Sequence, residues 1–194
     1  MIFRMLKLTE WTPVCVLAFV FTQDKSIKLD KMNIQLQRLS QINCHDIIAL
    51  NTHPLVLAHM PLGDNQFDET FCKEWVKQKE QHWQTHGFGV WALTFDGVFG
   101  GWGGFQDENG DADLALVLHP DYWGYGKNIA KKIVEQAAAQ LSLTSITIHL
   151  PLSRKKLGAI RRYGFIEEGE VDFDGVAFKR FRLKLSSLMK KKPC

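Results

Sequence analysis

The sequence predicts an α+β domain, a mixed and mostly antiparallel sheet with helices packed on both faces. Three observations carry this. Strand-like runs are joined by the tight-turn dipeptides Asp96-Gly97, Asn109-Gly110 and Asp174-Gly175, a hairpin signature. Two longer segments place apolar residues at helical spacing. The order of elements (strand, two helices, three strands, helix, strand, helix, hairpin) interrupts the antiparallel run with a helical crossover.

Residues 33–39 alternate polar and apolar, the period of a half-buried strand. Asn43 is the N-cap of a short helix carrying Ile47, Ile48 and Leu50. His53-Pro54 and Met60-Pro61 break the chain into a loop, and Asp68 opens a longer helix reaching about His86. Phe71, Trp75 and Trp83 fall on one face of it, as packing residues. Residues 88–95 and 98–105 form a hairpin; Gly100, Gly101, Gly103 and Gly104 predict an irregular second strand, bulged or closely approached by another backbone. A third strand follows at 112–118, then a helix at 125–141 with Ile129, Ile133, Ala137 and Leu141 on one face. Residues 144–150 are β-branched and buried, 153–163 are a helix ended by Gly164, and 165–185 are the last hairpin.

The chain of 194 residues, 45% hydrophobic and 23% charged, suits one domain with a bulky core containing 13 Phe and 6 Trp. Its charge of +3 comes partly from Lys190-Lys191-Lys192, with no basic stripe beside it, so nucleic acid is not the expected partner. Cys15, Cys44, Cys72 and Cys194 are scattered, which fits reduced thiols in a cytoplasmic protein with neither metal nor disulfide framework. His82 and His86 are four apart on a helix but have no third ligand in reach, so they read as a solvated face.

Residues 32–185 form the domain, 1–31 an N-terminal extension and 186–194 a basic C-terminal tail. The apolar run 14–21 imitates a signal peptide, but Glu10 and Pro13 stand at its edge and no small-residue cleavage site follows. It is far short of a membrane span. Three readings stay open: an extra strand or helix, a short peripheral anchor, or translated upstream sequence. An intact mass beginning at Met32 or Asn33 selects the last.

The chemistry concentrates at His119-Pro120-Asp121-Tyr122-Trp123-Gly124-Tyr125-Gly126-Lys127-Asn128-Ile129, which joins a strand to a helix. Such a junction aims unpaired amides at one point, where the helix dipole adds positive charge. Gly124 and Gly126 let the backbone come close to a ligand, and Lys127 adds a point charge. The product is a pyrophosphate cradle, although Gly-x-Gly before a helix is as often only a tight turn.

With the preceding strand Asp113-Leu114-Ala115-Leu116-Val117-Leu118 and the amphipathic helix behind it, this segment resembles the acetyl-CoA motif of the GNAT family of N-acetyltransferases. It looks closest to the branch that includes the ribosomal-protein N-terminal acetyltransferases. The likeness runs over residues 33–185, including Gly87-Phe88-Gly89-Val90-Trp91-Ala92 and Tyr163-Gly164-Phe165. It implies a sheet splayed between the fourth and fifth core strands, with backbone groups at Val117 and Leu118 free for the pantetheine arm. Amides of Gly124, Tyr125, Gly126, Lys127, Asn128 and Ile129 would hold the pyrophosphate, and the helix from Ser153 would flank the thioester. An acceptor site is implied among the loop at 59–62, the strand bearing Trp102 and Phe105, and the hairpin near 173–178. Four positions depart from the family pattern: Asn128 replaces a small residue, Ser153 and Lys156 replace Asn and Ser, and Ile160 stands where many members have a Tyr acid.

Acetyl transfer needs a neutral amine. Deprotonating a lysine amine at pH 7 costs roughly 4–5 kcal/mol and an α-amine only about 1, so an N-terminal acceptor needs little base catalysis. The resemblance makes Asp113 the candidate base, directly or through water, Glu108 a second possibility, a strand amide near Val117 the oxyanion donor, and Tyr163 the protonator of the thiolate. The expected activity is transfer of acetyl from acetyl-CoA, without metal, to a primary amine on a small molecule or protein N-terminus, by a monomer or homodimer. A non-catalytic acyl-CoA-binding or partner-binding domain is the alternative, motivated by Ser153, Ile160 and Asn128. Dinucleotide binding is disfavoured, since Gly124-x-Gly126 lacks a third glycine and a parallel strand with an acidic end.

Overall fold

A computed structural model describes residues 32–60, 66–141, 143–152, 154, 157–173 and 175–186. The expected extension at 1–31, the tail beyond 186 and Ser153 lie outside the described residues. Strand β1 (Ile34–Arg38) leads through a 3-10 turn (Leu39–Gln41) to helices α1 (Cys44–Asn51), α2 (Pro54–Leu57) and α3 (Glu69–His86). Strands β2 (Val90–Phe95), β3 (Val98–Glu108) and β4 (Asp111–Leu118) follow, then a 3-10 turn (Pro120–Tyr122) and α4 (Gly126–Gln140). The chain closes with β5 (Ser145–Pro151), α5 (Gly158–Tyr163), β6 (Ile166–Phe173) and β7 (Val176–Lys184).

Local chemistry sets the boundaries. Asn43 Oδ1 accepts from the His45 amide at 2.9 Å, and Asp68 Oδ1 from the Phe71 amide at 2.8 Å, each satisfying a free donor at a helix start. The left-handed Gly87 (φ 72°) ends α3 and Gly164 (φ 115°) ends α5. Helix α5 begins at Gly158, later than the expected 153.

The strands form one seven-stranded sheet in the order β1-β2-β3-β4-β5-β7-β6. Every neighbouring pair is antiparallel except β4 and β5, which are parallel. The sheet separates two cores. On one face Leu114, Leu116 and Leu118 of β4 and Ile146, Ile148 and Leu150 of β5 pack with Ile129, Ile133 and Ala137 of α4. On the other, Ala115 and Val117 meet Trp102, Trp75 of α3, and Ile47 and Leu50 of α1. Each fully buried side chain of this size contributes about 1.5–3 kcal/mol, so the two layers fix the sheet between them. Trp75 and Trp83 do not share a face as expected: Trp75 fills the second core, whereas Trp83 packs on the first and donates from Nε1 to the Val90 carbonyl at 3.0 Å.

The glycine-rich β3 is approached by neighbouring backbone. A Cβ at Gly104, whose φ is 151°, would collide with the Gly89 carbonyl, and one at Gly101 with the Val117 carbonyl. Register between β2 and β3 slips at Leu93/Thr94.

Candidate active site

The parallel neighbours β4 and β5 share one register pair among the described residues, Asp113 with Thr147, near the start of both strands. Beyond that pair lies an apolar cleft lined by Leu114, Ile148, Ile160, Tyr163 and Phe165, with Ala130, Val134 and Lys127 of α4 along its other wall. Leu114 and Ile148 directly follow Asp113 and Thr147 in the chain, and Lys127 belongs to the first turn of α4.

At that start several contacts hold the 119–126 segment, among them two hydrogen bonds and a ring stack. The His119 amide donates to the Gly100 carbonyl at 2.8 Å, and Trp123 Nε1 to the Leu118 carbonyl at 2.9 Å. The Tyr122 ring stacks on Phe95 at 3.9 Å. Gly124 has φ 97°, a conformation that side chains rarely allow, and it turns the chain into α4. Among the described residues the amides of Gly124, Gly126 and Lys127 have no partner, whereas those of Asn128 and Ile129 both donate to the Tyr125 carbonyl, at 3.0 and 3.1 Å. The free donors are therefore fewer than the expected 124–129: among the described residues, three amides and the Lys127 ammonium, at the positive end of a 15-residue helix. Tyr125 is buried in the core and Asn128 is partly buried. This donor set fits a diphosphate, and Lys127 also lines the apolar cleft.

Backbone alternation corrects one expectation. The His119 amide bonds across to Gly100 of β3, and Trp102 is the β3 partner of Val117. With a period of two, Val117 also gives its backbone to β3, while Leu116 and Leu118 turn theirs toward β5. The Leu118 carbonyl is taken by Trp123, so the Leu116 amide, not that of Val117, faces the open edge where an oxyanion can form.

Asp113 lies on the sheet face opposite the cleft and is buried, with 5% of its surface exposed. Its Oδ1 accepts from Thr147 Oγ1 at 3.0 Å and lies 2.9 Å from His149 Nδ1. The expected base is thus a buried carboxylate already bonded to two groups of β5. Glu108, at the end of β3, is half-buried, and its carboxyl is pushed above the ordinary range first by burial and then by the charge of Asp113. Beside them Asp111 bonds Arg182 at 2.6 and 2.8 Å and also pairs with Arg180, tying β4 to β7 across β5. The Asp111 carboxyl is held below its ordinary value, first by the bond to Arg182.

Tyr163 lines the cleft and stacks on Phe165 at 6.0 Å. Burial, and then the charge of Glu135, pushes its phenol up to about 12. Transfer of its proton to a thiolate of ordinary pKa near ~8.5 runs uphill by about 5 kcal/mol, so Tyr163 is suited to donate a hydrogen bond rather than the proton itself. Ile160 is buried in the same wall. Trp102 and Phe105 are fully buried in the two cores, with Trp102 Nε1 bonded to Asn51 Oδ1 at 3.0 Å, and so do not line an acceptor site. Phe173 of the last hairpin does reach this region, edge-on to His149 at 5.0 Å.

His82 and His86 stack at 4.4 Å, but His82 is partly buried. Its Nδ1 meets the Phe88 carbonyl and its Nε2 accepts from the Asp107 amide, both at 2.9 Å, stapling α3 to the sheet. No group of three metal-ligating side chains occurs among the described residues.

A family model for the acetyltransferase (GNAT) domain matches residues 34–166. The chain belongs to the GNAT acetyltransferase family. Solved structures of similar fold include a putative GNAT-family acetyltransferase from Bordetella pertussis, 17% identical with a TM-score of 0.61, covering 77% of this chain and 94% of that one. A chimera of the spermidine N-acetyltransferase SpeG from Vibrio cholerae and hSSAT is 15% identical with a TM-score of 0.61, covering 82% and 99%. The putative acetyltransferase YncA from Salmonella typhimurium, solved with its cofactor acetyl-CoA, is 16% identical with a TM-score of 0.55, covering 79% and 94%. No curated protein matches the chain in sequence. Among the described residues no helix is long and apolar enough to cross a membrane.

Proposed function

We propose that this GNAT-family chain is an acetyl-CoA-dependent N-acetyltransferase that acetylates a primary amine by direct attack in a ternary complex. One observation carries the reading: β4 and β5 share the pair Asp113–Thr147, the residues that follow, Leu114 and Ile148, line an apolar cleft together with Lys127, and the amides of Gly124, Gly126 and Lys127 are unpartnered among the described residues. The cradle holds the diphosphate, the cleft takes the pantetheine arm, and the thioester comes to rest near the junction. The Leu116 amide stabilises the oxyanion there, and Tyr163 donates a hydrogen bond to the sulfur. The amine approaches from the opposite face, where Asp113 and Glu108 supply negative charge that draws an ammonium group in.

The acceptor is a protein N-terminus, as the sequence resemblance suggests, or a small-molecule amine; a spermidine N-acetyltransferase among the fold neighbours supports including polyamines. The test incubates the purified chain with acetyl-CoA and a mixture of free-amine peptides, polyamines and arylalkylamines, read by mass spectrometry. An added acetyl group on at least one amine, dependent on the chain, is expected. Binding of CoA without turnover on any amine would overturn the enzymatic reading in favour of an acyl-CoA-binding domain.

A further inference from the structure

Strand β5 reads as apolar, yet every second residue on one face is polar: Thr147 and His149 alternate with Ile146, Ile148 and Leu150. Both are buried, His149 with 2% of its surface exposed. His149 Nδ1 lies 2.9 Å from Asp113 Oδ1, and the same oxygen accepts from Thr147 Oγ1, which fixes the carboxylate. A carboxylate accepts from Nδ1–H, so the neutral ring keeps its lone pair on Nε2. That Nε2 is shut off from solvent and has no hydrogen-bond partner among the described residues. A buried acceptor left without a donor costs free energy unless a donor arrives.

We infer that His149 is the base of the acetyl transfer, with Asp113 as the residue that positions it; the inference rests on the acetyltransferase reading above. Nε2 removes one proton from the acceptor's ammonium group, directly or through one water, and later returns it to solvent. The freed amine nitrogen attacks the thioester carbon, the C–N bond forms and the C–S bond breaks. The second nitrogen proton ends on the departing sulfur, so the products are the acetamide, CoA thiol and one proton. Asp113 holds the ring in the reactive tautomer and stabilises the imidazolium.

The groups around the ring fit this role. From β3, Glu108 interacts with His149 and carries a carboxyl raised by burial. From β7, the register partner Arg180 is paired with Asp111 and Glu168. From β6, Phe173 covers the ring with an apolar edge. Glu108 and Asp113 are thus the carboxylates beside the ring, and Arg180 is already paired.

The test uses the full chain, acetyl-CoA, and whichever of spermidine, phenethylamine or a free-amine peptide the wild type acetylates fastest. His149→Gln should lower kcat/KM at neutral pH about 100-fold or more and shift the low-pH limb of the profile toward alkali, with acetyl-CoA affinity within threefold of wild type. Asp113→Asn should act in the same direction. Retention by His149→Gln of activity within threefold, with an unshifted profile, overturns the inference while leaving the acetyltransferase reading intact; no turnover of any amine by the wild type overturns both. Nitrogen-15 spectra of the wild-type ring give a result independent of variant folding: Nδ1–H with unprotonated Nε2 above neutrality is expected, and Nε2–H overturns the assignment.

Discussion

The Tyr122 ring lies 3.9 Å from that of Phe95, nearly parallel at 13°, and the pair covers Gly100 so closely that a Cβ there would overlap both rings. This stack couples the loop that carries the cradle to β2 and β3. The absence of a side chain at Gly100 of β3 leaves room for this stack.

Gly100→Ala should consequently act at a distance. Overpacking at the stack costs about 1–3 kcal/mol of stability. Displacement of Tyr122 should weaken acetyl-CoA binding about tenfold. Urea unfolding and calorimetry on the same preparation check the two effects, and full affinity with lost stability would mean that the loop is held by other contacts.

Lys79 makes stability depend on pH. It is buried on α3, bonded to the neutral Gln106 oxygen and set 5.6 Å from the Trp75 ring, and burial lowers its pKa from 10.5 to about 7. Between those values the unfolded chain binds the proton that the folded chain releases, so this residue makes stability rise with pH across the window. Below pH 7 its full penalty applies. Replacement by Met removes the term: the stability difference between wild type and Lys79→Met should change by about 1.5 kcal/mol between pH 7 and 8.5, in the wild type's favour as pH rises. Denaturant titrations at the two pH values measure it.

Tyr163→Phe tests the phenol. A group pushed up to about 12 by burial stays protonated through the neutral range and donates a hydrogen bond without giving up its proton. The variant should keep acetyl-CoA affinity within threefold and lose less than about tenfold in kcat, the size of one neutral hydrogen bond. A loss of 100-fold or more would make Tyr163 a proton donor.

Much of the fold was legible because its signals are local. The turn dipeptides placed the hairpins, Asn43 and Asp68 placed two helix starts, and Gly87 and Gly164 end α3 and α5 as left-handed caps. The turn into α4 was legible from Gly124 and Gly126 together with the preceding strand. The misses were tertiary. Which edge of β4 is open depends on register with β3, so Val117 was expected to face the gap where Leu116 does. Trp83 fell on the expected helical stripe, yet it packs on the other core from Trp75, a tertiary choice that helical spacing does not reveal. His149 was hidden inside a strand that looks apolar; the period-two polar face formed with Thr147 was the available signal. Its pairing with Asp113 comes from 36 positions away, across a parallel junction that spacing does not reveal.

Asp111 offers a check on how the closed end of the gap is held. Its bonds to Arg182 and Arg180 join β4 to β7, and its lowered carboxyl pKa contributes stability above the unfolded value that is lost as pH falls through the folded one. Asp111→Asn leaves the arginines without their shared anion and should cost about 1–3 kcal/mol at pH 7, with a smaller difference from wild type at pH 3. Equal effects at both pH values would indicate a packing role alone.

The most direct test of the central claim is calorimetric titration of acetyl-CoA into the wild type and into Gly124→Val. At φ 97° a β-branched residue forces the turn to change, so the wild type should bind and the variant should bind at least tenfold more weakly while remaining folded. No binding by the wild type, or equal binding by a folded Gly124→Val, would contradict the account.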